Sequence, residues 1–337
     1  MSFSYPFQTL LLGCVAAPTR RYFCRTRWCH VQATPPSSVI LNADESGKFS
    51  EKIHATNLAS GKGAPFATQG RTVGIIGGVS VDATLKFLRK LVELSSEDGE
   101  NSIPFVLCSD PLFSKELLSF ERSYFVSSTS RAENLKLDSS PIVESLRNKR
   151  VFLENSGASC IVMPCNVSHS WYEQVCEGCS VPVLHMAECV AKELKEAKLK
   201  PLEAGSPLRI GVLATNATLA AGFYKEKLQN ERFGYLLISF TYIQGFEVVL
   251  PDRATMEHTV IPAIEALNRK DMEGACNLLR IALQVLLVRA ANSVILASDD
   301  MRDLLPPDDP LLKKCVDPMD ALARSTIKWV KSSGHNT

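Results

Sequence analysis

The chain has 337 residues, 45% of them apolar, with 37 Lys and Arg against 36 Asp and Glu. This composition excludes a collagen-like or mainly disordered chain and a basic polyanion-binding protein, while the length allows two domains of about 150 residues. Arg280 and Arg289 break the longest apolar candidates, so none reaches the roughly 18 uncharged residues that span a bilayer. Neither a nucleic-acid nor a membrane partner is expected.

The balance of charge hides an asymmetry. The first 43 residues contain no Asp or Glu, and Arg20, Arg21, Arg25 and Arg27 carry all their charge; without those four the remainder holds 33 basic against 36 acidic residues. An acid-free, Arg-bearing, Ser/Thr-containing leader matches an organelle transit peptide. Residues 1–60 are therefore expected to be transit peptide and linker, bound for the chloroplast, with the mitochondrion as alternative. Three of the eleven cysteines (Cys14, Cys24, Cys29) lie in that leader, and the rest are too scattered for a disulfide scaffold. Cys176-Glu-Gly-Cys179 is a lone C-x-x-C without a second pair, so no metal or cofactor is expected.

From Arg71 onward short apolar runs alternate with amphipathic stretches. Residues 71–78 read as a buried strand running into a glycine turn, and further strands are predicted at 103–108, 160–163, 181–185, 209–214, 236–240 and 293–297. Helices are predicted at 81–93, 142–155, 187–197, 219–228, 261–268 and 272–289. In the first helix, Leu85, Leu88, Leu91 and Val92 are predicted to form the buried face. Such alternation argues for α/β layering around mostly parallel sheets.

An internal echo sharpens this. Thr72-Val-Gly-Ile-Ile-Gly-Gly78 resembles Arg209-Ile-Gly-Val-Leu-Ala-Thr215, and Ala158-Ser-Cys-Ile-Val-Met-Pro-Cys165 resembles Ala291-Asn-Ser-Val-Ile-Leu-Ala-Ser298. Gly74 and Cys165 are 91 positions apart, Gly211 and Ser298 87. Two matched pairs in the same order at similar spacing predict two pseudo-symmetric α/β domains, 70–187 and 205–317, joined by a linker containing Pro201, Gly205 and Pro207. A C-terminal helix at 318–334 would pack back on the first.

Ligands of parallel sheets bind at the carboxyl ends of the strands. Four loops there are small or polar: Gly77-Gly78-Val79-Ser80, Pro164-Cys165-Asn166-Val167-Ser168-His169, Thr215-Asn216-Ala217-Thr218 and Ala297-Ser298-Asp299-Asp300. Facing halves would enclose a small site rich in donors and poor in Lys and Arg, suited to a carboxylate. Cys165 follows a strand and a proline and would sit at a helix N-terminus, a position that lowers a thiol pKa; its competing reading is a buried small hydrophobe. His169, one turn on, is a candidate modulator of Cys165. His185 and His258 read as structural or solvated, and Asp299 and Asp300 as caps of a helix beginning near Met301.

Val73-Gly-Ile-Ile-Gly-Gly-Val-Ser80, Met163-Pro-Cys-Asn-Val-Ser-His169 with Val181-Pro-Val-Leu-His185, and Gly211-Val-Leu-Ala-Thr-Asn-Ala-Thr218 together resemble the aspartate/glutamate racemase family, here as a plant-type organellar member. The resemblance runs from about Arg71 to Lys331. It implies a cofactor-independent racemase, often dimeric, with its active site between two halves. Two cysteines on opposite faces of a small amino-acid or dicarboxylate substrate move the α-proton. Cys165 takes the place of the first cysteine; Gly78, Ser80, Asn166, Ser168, Thr215, Asn216, Thr218 and Asp299 fall in the substrate-binding loops.

The chain departs from that pattern at three points. Where the family usually has Gly-Cys-Thr-Glu, it has Ala297-Ser298-Asp299-Asp300, so Ser298 occupies the second cysteine's place. A family threonine becomes Val167, and an arginine that holds distal carboxylates appears as Lys115-Glu116. A serine hydroxyl is a poor base unless activated. Racemisation with Ser298 helped by Asp299 or water therefore stands beside two alternatives: a single-cysteine lyase, decarboxylase or isomerase, and a non-catalytic ligand-binding homologue.

Overall fold

A computed structural model describes residues 71–96, 103–129, 138–197, 199–202, 206–230, 246–299 and 301–332. The leader and the predicted strand at 236–240 lie outside the described residues, as does Asp300.

The described residues form two four-stranded, wholly parallel sheets. The first contains β1 (Thr72–Ile76), β2 (Phe105–Cys108), β3 (Ala158–Val162) and β4 (Val183–Leu184) in the order β2-β1-β3-β4. Parallel neighbours need long crossovers. These carry α1 (Val81–Ser96), α2 (Pro111–Thr129), α3 (Ser140–Asn155) and, after a 3₁₀ turn at Val167–Trp171, the short α4 (Tyr172–Cys176); α5 (Met186–Glu196) succeeds β4.

The second sheet contains β5 (Arg209–Ala214), β6 (Glu247–Val249), β7 (Ser293–Ala297) and β8 (Cys315–Val316), ordered β6-β5-β7-β8. Its helices are α6 (Asn216–Ala221), α7 (Phe223–Asn230), α8 (Arg253–Thr255), α9 (Ile261–Asn268) and α10 (Met272–Val288). A π turn at Met256–Val260 joins α8 to α9 just before Pro262, which has no N–H to give a regular helical ladder. The last helix, α11 (Pro318–Ser332), packs against α1 and α5. None of the helices among the described residues is long and apolar enough to cross a membrane.

The two strand orders are the same, and the echoed segments fall on matching strands: Gly74 on β1 and Gly211 on β5, with Cys165 just after β3 and Ser298 just after β7. Parallel strands are covered on both faces and so read as unbroken apolar runs. All of β7 is buried, as are five of the six residues of β5. Burying an Ile or Leu side chain contributes roughly 1.5–3 kcal/mol, which fixes both strands firmly.

The first helix corrects the predicted face. Leu85 and Val92 are exposed, at 54% and 42%, and the buried stripe is Ala83, Thr84, Phe87 and Leu91. The aromatic ring of Phe87 sets the inward direction, and the stripe continues at helical spacing from it. Phe87 and Leu91 share one core with Val190 and Leu194 of α5 and Leu322 and Ile327 of α11.

Candidate active site

The ends of β3 and β7, the first turn of α1 and the start of α6 meet around one thiol. Cys165 is wholly buried. A three-residue turn around Pro164, closed by the Cys165 N–H to Met163 O at 2.8 Å, brings the side chain inward from β3. Gly78 lies directly against it: a Cβ at that position would stand 2.5 Å from the Cys165 sulfur, closer than any real contact, so only glycine allows the loop to approach. Ser114 Oγ of α2 holds this loop by donating to Gly78 O at 2.7 Å.

Burial pushes the Cys165 thiol up to about 12; the Asp299 carboxylate and, more weakly, Glu121 add to this. The Ser168 hydroxyl and the Val79 N–H, both close to the sulfur, act in the opposite direction. The expected lowering by a helix N-terminus is thus overturned. Beyond Cys165 the chain makes only a five-residue 3₁₀ turn beginning at Val167, whose small dipole is outweighed by desolvation. At neutral pH Cys165 rests as a thiol.

Asn166 ties the two sheets together. Its Nδ2 donates to Asp299 Oδ1 at 2.9 Å, and its backbone N–H approaches the same oxygen at 3.4 Å. Its Oδ1 accepts from Tyr224 Oη of α7 at 2.7 Å, which fixes the amide orientation. Asp299 therefore faces Asn166 and is not a helix cap; the chain beyond it forms only a 3₁₀ turn at Arg302–Leu304. Ser298 is half-buried beside it, its carbonyl accepting from the Met301 N–H at 3.3 Å.

The remaining predicted residues take distinct places. Ser80 Oγ accepts from the Ala83 N–H at 3.1 Å and so starts α1. Thr215 caps α6 by accepting from the Thr218 N–H, while donating to Glu121 Oε1 at 3.1 Å. Asn216 Nδ2 turns toward Tyr124 O at 3.5 Å. Ser168 Oγ is buried without a nitrogen or oxygen partner among the described residues and lies against the thiol.

His169 reaches the loop through its backbone side: Nε2 sits 3.0 Å from Met163 O. Its ring lies 4.9 Å from that of His185 and 6.0 Å from Phe223, and Phe223 in turn packs 4.8 Å from Tyr224. The thiol contact expected of a modulator is replaced by a structural one. His185 Nδ1 accepts from the Ala187 N–H at 3.1 Å and caps α5, so both rings are neutral structural members.

Lys115 and Glu116 are exposed on α2 and do not enter the site. Two residues that do enter it, Glu121 and Tyr224, carry little sequence signal. The first sits in a helix whose serines and charges blur its period; the second has a helix position as its sole mark.

The family model for Asp/Glu/hydantoin racemases matches residues 76–326 of this chain. The chain belongs to that family. The broad-specificity amino-acid racemase RacX of Bacillus subtilis is 23% identical over 164 residues, covering 47% of this chain and 60% of its own length. Among solved structures, the aspartate racemase of Picrophilus torridus superposes with a TM-score of 0.54 at 23% identity, over 78% of this chain and 95% of its own. An aspartate racemase homologue from Pyrococcus horikoshii gives 0.57 at 20% identity, over 77% and 99%. At these identities the structures establish the fold: two parallel four-stranded sheets flanked by helices, as in the racemases. In this member of the family, the turn after β3 carries a cysteine and the matching turn after β7 a serine.

Proposed function

We propose that this chain is a cofactor-independent amino-acid racemase in which Cys165 moves the α-proton on one face of the substrate. The turn Ala297-Ser298-Asp299, with Ser298 in the second cysteine's place, serves the other face. The observation that carries this reading is the closure of the β7 turn onto the Cys165 loop, through Asn166 Nδ2 and Asp299 Oδ1 at 2.9 Å. Two proton-handling segments, one from each sheet, thereby stand at one spot.

An α-proton beside a carboxylate is very weakly acidic, so a base must lie within hydrogen-bond reach and the developing carbanion must meet donors already in place. Ser168 lies against the thiol, Gly78 supplies the clearance, and Thr215, Thr218, Ser80, Asn166 and Asn216 supply hydroxyl and amide groups in the loops that the family uses for its substrate. Glu121 suits the α-ammonium group. The substrate is accordingly a small amino acid, aspartate and glutamate being the first candidates.

The lone thiol favours a second reading, a single-cysteine lyase, decarboxylase or isomerase, because β7 ends in serine. Both are tested by incubating the full chain with each enantiomer of the proteinogenic amino acids in D₂O, following α-deuteration by mass spectrometry and inversion by chiral chromatography. Inversion with deuterium in the product is expected. Deuteration with retention would favour the one-base enzyme, and neither change from a folded protein would remove the racemase reading.

We further propose a homodimer, to be checked by light scattering after gel filtration. The acid-free leader supports import into the chloroplast, with the mitochondrion second; a fluorescent fusion of residues 1–60 tests it.

A further inference from the structure

We infer that Asp299, rather than Ser298, is the acid–base residue opposite Cys165. This rests on the racemase reading and names the group that reading leaves open.

Three observations support it. First, Asp299 is placed as a catalytic base must be, held by a neighbour that is itself held. Tyr224 Oη donates to Asn166 Oδ1 at 2.7 Å, and Asn166 Nδ2 donates to Asp299 Oδ1 at 2.9 Å. Tyr224 and Asn166 are both buried, at 4% and 3% exposure, so the relay is rigid. A base oriented by a second group is the recurring arrangement in proton-transfer sites. Second, Asp299 Oδ1 lies 3.4 Å from the backbone nitrogen next to Cys165, close enough for its charge to act on the thiol. Third, Asp299 also lines a cavity of about 240 Å³ together with Lys86, Arg89, Lys90 and Asp303. Cys165 is sealed in, so Asp299 is the member of the pair with a route for exchanging its proton with water.

The step balances without a cofactor. The Asp299 carboxylate takes the α-proton: the Cα–H bond breaks, an O–H bond forms and the electron pair stays on the substrate as a carbanion delocalised into its carboxyl group. That pair then takes the proton of the Cys165 S–H on the opposite face, leaving a thiolate. The enzyme now holds a carboxylic acid and a thiolate, which is the form that runs the reverse reaction. The reverse reaction on the opposite enantiomer, in which the Cys165 thiolate takes the α-proton and the Asp299 carboxylic acid gives its own back, restores the starting state.

The test compares Asp299→Asn, Asp299→Glu and Ser298→Ala with the unaltered full chain, using both enantiomers of the proteinogenic amino acids in D₂O and circular dichroism to confirm folding. Loss of a general base costs on the order of a hundredfold or more. Asp299→Asn is expected to lose inversion to that extent in kcat, and Asp299→Glu restores part of the rate. The loss in Ser298→Ala is at least tenfold smaller. If Asp299→Asn fails to fold, acetate added to Asp299→Ala should restore inversion in proportion to its concentration. Three results would overturn the assignment: Ser298→Ala losing more than Asp299→Asn, Asp299→Asn raising KM with kcat intact, or Asp299→Asn turning over faster than the unaltered chain. In each, inversion by the unaltered chain still stands. If that chain neither inverts nor exchanges any amino acid, the racemase reading itself fails.

Discussion

The two sheets share a strand order and differ in the turns that follow their third strands, β3 and β7. The turn after β3 delivers a fully buried thiol packed against Gly78; the turn after β7 delivers a half-buried serine and a carboxylate held by Asn166. The scaffold residues that the repeat preserves are those in strands, where burial on both faces tolerates little change. The residues that diverge stand at strand ends, where the sheet supplies position and leaves the chemistry to the side chain. A duplicated fold can thus keep two matching arms while ending each in different side chains.

The comparison breaks hardest at the β3 arm. Cys165→Ala should lower inversion by about a thousandfold, within the usual range for a missing acid–base group, measured as kcat by chiral chromatography; a loss below tenfold would take the thiol out of the reaction. Gly78→Ala comes next. The added methyl meets the Cys165 side chain, and overpacking of this kind costs about 1–3 kcal/mol, so urea unfolding should shift to lower concentration and activity fall with it. An unchanged midpoint would show that the loop can retreat.

Acid should act on the aromatic cluster beneath that arm. Burial, reinforced by the neighbouring His185, pushes His169 down to about 3; burial, then Lys227, pushes His185 down to about 4, against 6.5 for a free imidazole. Both native values are depressed. The unfolded chain therefore binds more protons below about 6.5 than the native one, and stability is lost as pH falls from there toward 4. Urea midpoints measured at about pH 7 and about pH 5 should differ in that direction, and a flat profile would mean the rings are not held neutral. The smallest effect belongs to the link between the arms. Tyr224→Phe removes one buried hydrogen bond, worth about 1 kcal/mol, and should reduce kcat more than it raises KM, because Asn166 loses its orientation.

The same division governs how much of the molecule is legible in its sequence. β5 and β7 can be read to their observed ends, since each is an unbroken apolar run stopped by small polar residues. The strands β6 and β8 cannot: they are three and two residues long, each is hydrogen-bonded to one neighbour among the described residues, and neither carries a period. α2 also escapes the pattern although Phe113 and Leu117 are buried one turn apart, because serines and charges dilute the stripe. At the site, position along the chain brings out Cys165, whereas Asp299 reads as a helix cap, and the geometry that joins it to Asn166 has no mark in the sequence. The thiol's high pKa depends on complete burial, a property of the closed fold that a helix-terminus rule cannot see.

Because α11 closes the first core, the order of synthesis matters. Phe87, Leu91, Val190 and Leu194 emerge from the ribosome long before Leu322 and Ile327, the residues that cover them. Arg324, which pairs with Glu193 at 2.6 Å, and Lys328, which pairs with Glu196 at 2.6 Å, arrive equally late. Translation at about 5–20 residues per second leaves that apolar face open for many seconds. The first core thus stays unsealed until α11 has been made, so its closure is one of the late events of folding.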